Sequence, residues 1–182
     1  MSNNNSCDNR LERIKERVQS YQDFPKAGIL FRDFLPVLRD PQVFSELIEI
    51  MAERIEAIEP KPEAIIGLES RGFLLGTPLA LRLKLPFIPV RKPGKLAGNV
   101  KKVTYSLEYG TDSLEIQTQS ITTGLKCVIV DDLIATGGSL KASVDLVNAC
   151  GGQVVLNLVV MELVALNGRT HIPSPFQSLL QY

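Results

Sequence analysis

Val128-Ile129-Val130-Asp131-Asp132-Leu133-Ile134-Ala135-Thr136-Gly137-Gly138-Ser139 joins an apolar run to two acids and then to a small-residue turn that opens a helix. Gly137 and Gly138 let the backbone turn tightly and bring amides close to an anion. Ala135 keeps the turn small, and Thr136 and Ser139 add hydroxyl donors at the positive end of the helix dipole. Such a turn fits a phosphomonoester. Asp131 and Asp132 would repel each other if buried without partners, so they call for ligand hydroxyls, a cation or a basic residue. A sugar diol beside the phosphate would supply them. The glycines are adjacent, not spaced G-x-G-x-x-G, and no lysine follows them, which excludes a dinucleotide fingerprint and a nucleoside-triphosphate loop. The plainer alternative is two acids ending a strand and an ordinary turn.

Glu69-Ser70-Arg71-Gly72 follows a short apolar run and opens a second helix, so backbone amides and Arg71 could grip a pyrophosphate there. Arg91, Lys92 and Lys95 form a basic cluster after another strand-like run. Taken alone, they read as a solvated basic loop. His171, the only histidine, lies near Pro173 with no acid or nucleophile pattern around it. The three cysteines lack zinc-ligand spacing; Cys127 and Cys150 read as small core residues and Cys7 as incidental.

Lys plus Arg equals Asp plus Glu at 20 each, so no overall field favours nucleic acid or an anionic membrane, and any phosphate binding must be local. Apolar runs such as Cys127 to Val130 fall far short of the roughly 20 residues of a membrane helix. With a polar N-terminus, a soluble cytoplasmic protein is expected.

The elements that must position these residues alternate. In 182 residues that are 45% hydrophobic, a single domain over 10–182 is expected, behind an Asn- and Ser-rich disordered tail over 1–9. Leu11, Ile14, Val18 and Tyr21 recur at helical spacing, and Asp40-Pro41 caps a longer amphipathic helix reaching Ile58. Ala64 to Gly67 and Phe87 to Val90 predict buried strands around a crossover helix from Gly72 to Leu83, which Pro78 kinks or begins. Lys126 to Val130, Leu140 to Ala149 and Val154 to Val160 predict strand, helix and strand. The fold class is α/β: a mostly parallel, Rossmann-like central sheet flanked by helices, with ligands beyond the carboxyl ends of the strands. Val103 to Tyr109 and Ser113 to Gln117, joined by Gly110-Thr111-Asp112, predict a hairpin excursion.

The stretch from Val128 to Ser139 resembles the phosphoribosyl pyrophosphate signature of the type I phosphoribosyltransferases. Phe24 to Asp33, Glu69 to Phe73, Tyr105 to Gly110 and the ending Phe176 to Tyr182 extend the resemblance over nearly the whole chain, toward the adenine-using members of that family. The resemblance implies that Asp131 and Asp132 hold the ribose hydroxyls and that Ala135, Thr136, Gly137, Gly138 and Ser139 cradle the 5-phosphate. It assigns Glu69, Ser70, Arg71, Arg91, Lys92 and Lys95 to pyrophosphate, with a non-proline cis peptide at Glu69-Ser70. The family usually has Asp at the position of Glu69. A hood over about 20–36 would hold adenine through Leu30, Phe31 and Arg32; the residues alone read rather as a loop packed by its own Phe24, Ile29 and Phe31. A mobile lid over about 94–117 would exclude water, Glu108 would handle the proton, and Tyr109 would help closure, with Tyr105 less certain. Mg²⁺ would ride on the substrate and water, without direct protein ligands. The partners implied are adenine, phosphoribosyl pyrophosphate, AMP, pyrophosphate and a second copy in a homodimer. A relative using hypoxanthine, guanine, xanthine or orotate would keep the phosphate loop and differ in the hood. A non-catalytic sensor of phosphoribosyl pyrophosphate would not need the lid.

Overall fold

The computed structural model describes residues 4–107 and 110–182. Where length led to the expectation of one continuous domain, the chain gathers into two compact units, residues 1–53 and 54–182.

In the first unit, α1 (Asn4–Arg17) presents arginines at positions three and four apart. Arg10, Arg13 and Arg17 pair with Glu53, Glu46 and Asp40, each at 2.9 Å. Exposed ion pairs add little net stability, so these serve mainly to fix register. The helix extends upstream to Asn4, through the stretch expected to be a tail. Asn and Ser disfavour a helix only weakly, and a helix once nucleated propagates. Tyr21 is not on α1, as its spacing predicted. It lies in β1 (Gln19–Gln22), which pairs antiparallel with β2 (Leu30–Asp33), because four apolar positions fit more than one period. A short α2 (Leu35–Leu38) leads to α3 (Pro41–Glu56), where Asp40 accepts the Val43 amide at 3.3 Å just ahead of Pro41.

The second unit contains β3 (Ala64–Leu68), α4 (Arg71–Leu83), β4 (Phe87–Val90), β5 (Val100–Leu107), β6 (Gly110–Gln117), β7 (Lys126–Ile134), α5 (Gly138–Ala149), β8 (Gln153–Glu162) and β9 (Phe176–Gln181). Five of these strands form one sheet in the order β4-β3-β7-β8-β9, every pair parallel. Parallel strands buried on both faces read as continuous apolar runs, and every residue of β3 is buried. One face, with Ile66 and Ile129, packs with Leu140, Val144 and Val147 of α5 and with Leu114 and Ile116 of β6. On the opposite pleat, Ile65 approaches α4 at Gly76.

Several boundaries differ from expectation. β7 runs on to Ile134, so both acids are strand residues; Asp131 pairs in register with Val159 of β8. Pro78 sits in the interior of α4, not near its start. β9 was not predicted at all. The β5–β6 hairpin keeps register as far as Leu107 and Gly110, so Gly110 to Asp112 are strand and not turn. Its base is also no loose lid, because Leu114 and Ile116 are core. Among the described residues, no helix is long and apolar enough to cross a membrane.

Ile129, fully buried at the centre of the sheet, tests this core. Ile129→Ala should cost about 3 kcal/mol, read as a lower urea midpoint with unchanged slope.

Candidate active site

β3 and β7 are neighbours in the sheet, so the loops leaving their carboxyl ends share one crevice. A cavity of about 370 Å³ lies there. Glu69, Ser70 and Arg71 line one wall, Asp131 to Ser139 the other, and Tyr105 of the hairpin reaches it too. Arg71 Nε donates to Asp132 Oδ2 at 2.7 Å, and Asp131 Oδ1 accepts the Asp132 amide at 2.9 Å. This approach depends on Gly72. A Cβ there would lie 2.6 Å from the Val130 carbonyl oxygen and 3.2 Å from Asp131 Oδ1, so only glycine lets the first turn of α4 lie against β7. The expected non-proline cis peptide at Glu69-Ser70 is present.

Desolvation, then the neighbouring Asp132 charge, pushes the Asp131 carboxyl well above the usual range. Burial also raises Asp132, against the opposing pull of Arg71. The phosphate-loop turn closes with Gly137 at φ 85°, and α5 begins there without a side-chain cap, leaving first-turn amides for an anion.

Behind this wall, Arg91 grips Glu69 with Nε at 3.1 Å and Nη2 at 3.0 Å, and the Lys92 amide donates to the same carboxylate at 3.1 Å. Arg91 thereby holds the Glu69 carboxyl below its ordinary value. Arg91 also pairs backbone to backbone with Glu115 of β6 and donates through Nη1 to the Lys95 carbonyl at 3.3 Å. Lys92 meets Asp112 at 3.0 Å, and Tyr105, its phenol pushed up to about 12 chiefly by burial, donates to Asp112 at 3.4 Å.

Residues 36–168 match the phosphoribosyl transferase domain. The adenine phosphoribosyltransferase of Drosophila pseudoobscura pseudoobscura is 47% identical over 177 residues, 97% of this chain and 98% of that protein. The chain belongs to the adenine phosphoribosyltransferase family. Among solved structures, the family member from Saccharomyces cerevisiae, complexed with D-2,5-dideoxy-2,5-imino-altritol 1,6-bisphosphate and adenine, superposes with a TM-score of 0.93 at 44% identity. That match covers 95% of this chain and 99% of that one. The adenine phosphoribosyltransferase from Thermoanaerobacter pseudethanolicus gives 0.91 at 46% identity, covering 94% and 99%.

In this phosphoribosyltransferase the cavity gathers Glu69, Ser70, Arg71, Asp131, Asp132, Ala135, Thr136, Gly137, Gly138 and Ser139. Arg91, Lys92 and Lys95 do not line it; the first two are engaged with Glu69 and Asp112. Glu108 and Tyr109 lie outside the described residues. In the first unit, the hood segment includes the β1–β2 hairpin. Phe24 and Phe31 meet edge to face at 5.0 Å, and Phe24, Ile29 and Leu30 are exposed. Strand alternation puts Leu30 and Arg32 on one face and Phe31 on the other; Arg32 donates to the Ser20 hydroxyl. Sequence reasoning missed Gly72 and Asp112, whose partners are distant in sequence. Cys127 is buried with its thiol pushed up to about 12, an inert core residue as expected, and His171 is exposed.

The paired acids give a pH-dependent prediction. A carboxyl raised in the folded state binds its proton more tightly folded than unfolded. It therefore stabilises below the unfolded value of about 3.9, and that contribution is lost as pH rises through the raised one. Asp131→Asn keeps an oxygen for the Asp132 amide and removes the repulsion. The variant's melting temperature should thus gain on the unsubstituted protein as pH rises from 4 to 8, read by calorimetry without ligand. A constant difference across that range would reject the raised carboxyl.

Proposed function

We propose that this chain transfers the 5-phosphoribosyl group of phosphoribosyl pyrophosphate to adenine, releasing AMP and pyrophosphate, a purine-salvage reaction. The observation that carries the reading is one cavity holding an acid pair, an uncapped helix start and Arg71. These match a ribose diol, a 5-phosphate and a pyrophosphate in that order. The base is inferred from the family, one member of which is complexed with adenine.

Asp131 and Asp132 accept the ribose hydroxyls, and Ala135 to Ser139 donate to the 5-phosphate. Arg71 and the backbone at Glu69 and Ser70 hold the pyrophosphate, with Arg91, Lys92 and Lys95 adding positive charge nearby. Leu30, Phe31 and Arg32 hold adenine. N9 of adenine bonds to C1 of the ribose as the bond to pyrophosphate breaks, and the proton on N9 leaves to Glu108, with Tyr109 closing beside it. Among the described residues no group of three or more acid, His or Cys side chains is arranged for a metal. Asp132 is tied to Arg71 and Glu69 to Arg91. We take Mg²⁺ to be carried on pyrophosphate and ribose oxygens and water, which suits its preference for hydrated, phosphate-rich sites. When bound, the ion would supply charge neutralisation for the leaving group. We take the working form to be a cytoplasmic homodimer, as in the family resemblance; the free Cys127 and Cys150 accord with a reducing compartment.

Purified protein with Mg²⁺ and phosphoribosyl pyrophosphate should turn over adenine and not guanine, hypoxanthine or orotate, and Glu108→Ala should lose about 10²-fold or more in kcat. Turnover of another base would refute the assignment to the hood. Tight binding without turnover would replace the enzyme by a sensor. Sedimentation velocity should give the mass of two chains.

A further inference from the structure

The phosphate loop has a neighbour that none of the substrate assignments uses. β8 leaves the sheet at Glu162, in register with Ile134 of β7, and the Leu163 amide donates to the Ile134 carbonyl at 3.0 Å. The chain that follows is thus steered past the loop springing from β7. It forms a 3-10 turn over Gly168–His171, which packs against α5. Gly168 is the buried residue of that turn, yet it does not line the cavity.

Two glycines meet here backbone to backbone. A Cβ on Gly137 would lie 2.5 Å from the Gly168 carbonyl oxygen. A Cβ on Gly168 would overlap the Ala135 carbonyl oxygen and lie 2.9 Å from both the Gly137 amide nitrogen and the Thr136 carbonyl carbon. Gly137 also has a positive φ, so conformation and space both require glycine there. Gly168 has no positive φ, so its requirement comes from space alone. What it touches are backbone groups of Ala135, Thr136 and Gly137, not flexible side-chain ends that could swing aside. The turn is held by its own cap, where Thr170 Oγ1 donates to the Asn167 carbonyl at 2.7 Å, and from outside by the Arg169 guanidinium, which lies 5.2 Å from the centre of the Phe176 ring on β9.

We propose that Gly168 is a positioning residue for 5-phosphate binding. Lacking a side chain, it lets the Gly168–His171 turn brace the 135–137 loop from behind, so that the loop's amides stay aimed at the phosphate. Amides in a turn bind an anion well only when several converge, and a shift of a few tenths of an ångström in one peptide spoils that convergence. The loop cannot hold this shape through side chains of its own, since Ala135, Gly137 and Gly138 have almost none. The stiffness has to come from a neighbour, and the turn supplies it. The inference rests on reading the cavity as a phosphoribosyl pyrophosphate site.

Titration calorimetry on the full chain with ribose 5-phosphate and, separately, with pyrophosphate tests it, alongside steady-state kinetics and melting temperature. The unsubstituted protein must bind ribose 5-phosphate; if it does not, the cavity reading fails and the proposal with it. Given that binding, Gly168→Ala should weaken ribose 5-phosphate by about tenfold or more while leaving pyrophosphate within about twofold. KM for phosphoribosyl pyrophosphate should rise more than kcat falls, with KM for adenine unchanged. Equal weakening of both ligands would mark a merely structural residue and overturn the proposal, as would no change in either. Should Gly168→Ala fail to fold, Thr170→Val decides, because it loosens the turn without touching the loop. About a threefold loss for ribose 5-phosphate alone supports the brace, and unchanged affinity refutes it.

Discussion

Two adjacent carboxylates at the end of a buried parallel strand are expensive to hold, and much of the second unit can be understood as the means of holding them. Asp132 is almost fully buried and needs a cation within hydrogen-bond reach. Arg71 reaches it only because α4 begins against β7, which requires Gly72 at the contact. α4 can settle on the sheet there because Gly67 and Gly76 leave room for the Phe87 ring, whose atoms would stand 2.6 to 2.8 Å from a Cβ on either. The adjacency of β3 and β7 brings the two loops together. Strand order, three glycines and one aromatic ring thus converge on a single ion pair.

A second charged contact ties that wall to the hairpin. Glu69 binds Arg91 through two hydrogen bonds and accepts the Lys92 amide as well, while the Arg91 backbone is paired to Glu115 at the base of β6. The Glu115 side chain returns to the same segment by accepting the Gly94 amide at 3.1 Å. The hairpin therefore has a fixed root in the core, and Tyr105 stands at the cavity because that root is fixed. The Glu69 side chain spans to Arg91 and to the Lys92 amide together.

The legibility of these features follows sequence distance. The phosphate loop could be read because its strand, acids, turn and helix are contiguous, and Asp131 to Ser139 all line the cavity. The strands β3, β4, β7 and β8 could be read because burial in a parallel sheet leaves largely apolar runs. β9 could not, since Phe176 to Gln181 mixes glutamines and serine with its apolar residues, and only pairing with β8 makes it a strand. The end of β7 was misplaced for a related reason. Two aspartates look like a stop, whereas the ladder to β8 carries them along as far as Ile134. Arg91 and Lys92 read as a basic patch aimed at an anion, but their acids lie at Glu69 and Asp112, and charge counting along a chain does not reveal pairs formed across it. Gly168 was invisible because its requirement is a contact and not a conformation.

Counting across space identifies which group awaits the ligand. Asp132 has Arg71, Glu69 has Arg91, and Asp112 has Lys92. Asp131 has no ion pair among the described residues, accepts the neighbouring amide, and is pushed upward by desolvation and by Asp132. Those three acids have cations within the protein, and ligand hydroxyls arriving from the cavity would suit Asp131, which has none. Hydroxyls serve that purpose where a cation would have to be stripped of water, and a diol presents two of them at the spacing of adjacent carbons. The same allocation leaves the first-turn amides of α5 for the phosphate. On the proposed reading, a ligand carrying a diol next to a phosphate would complete the hydrogen bonding of the whole β7–α5 segment at once. On that reading, the energy of an unsatisfied strand end would be recovered on binding, which would favour that pairing over a phosphate or a sugar alone.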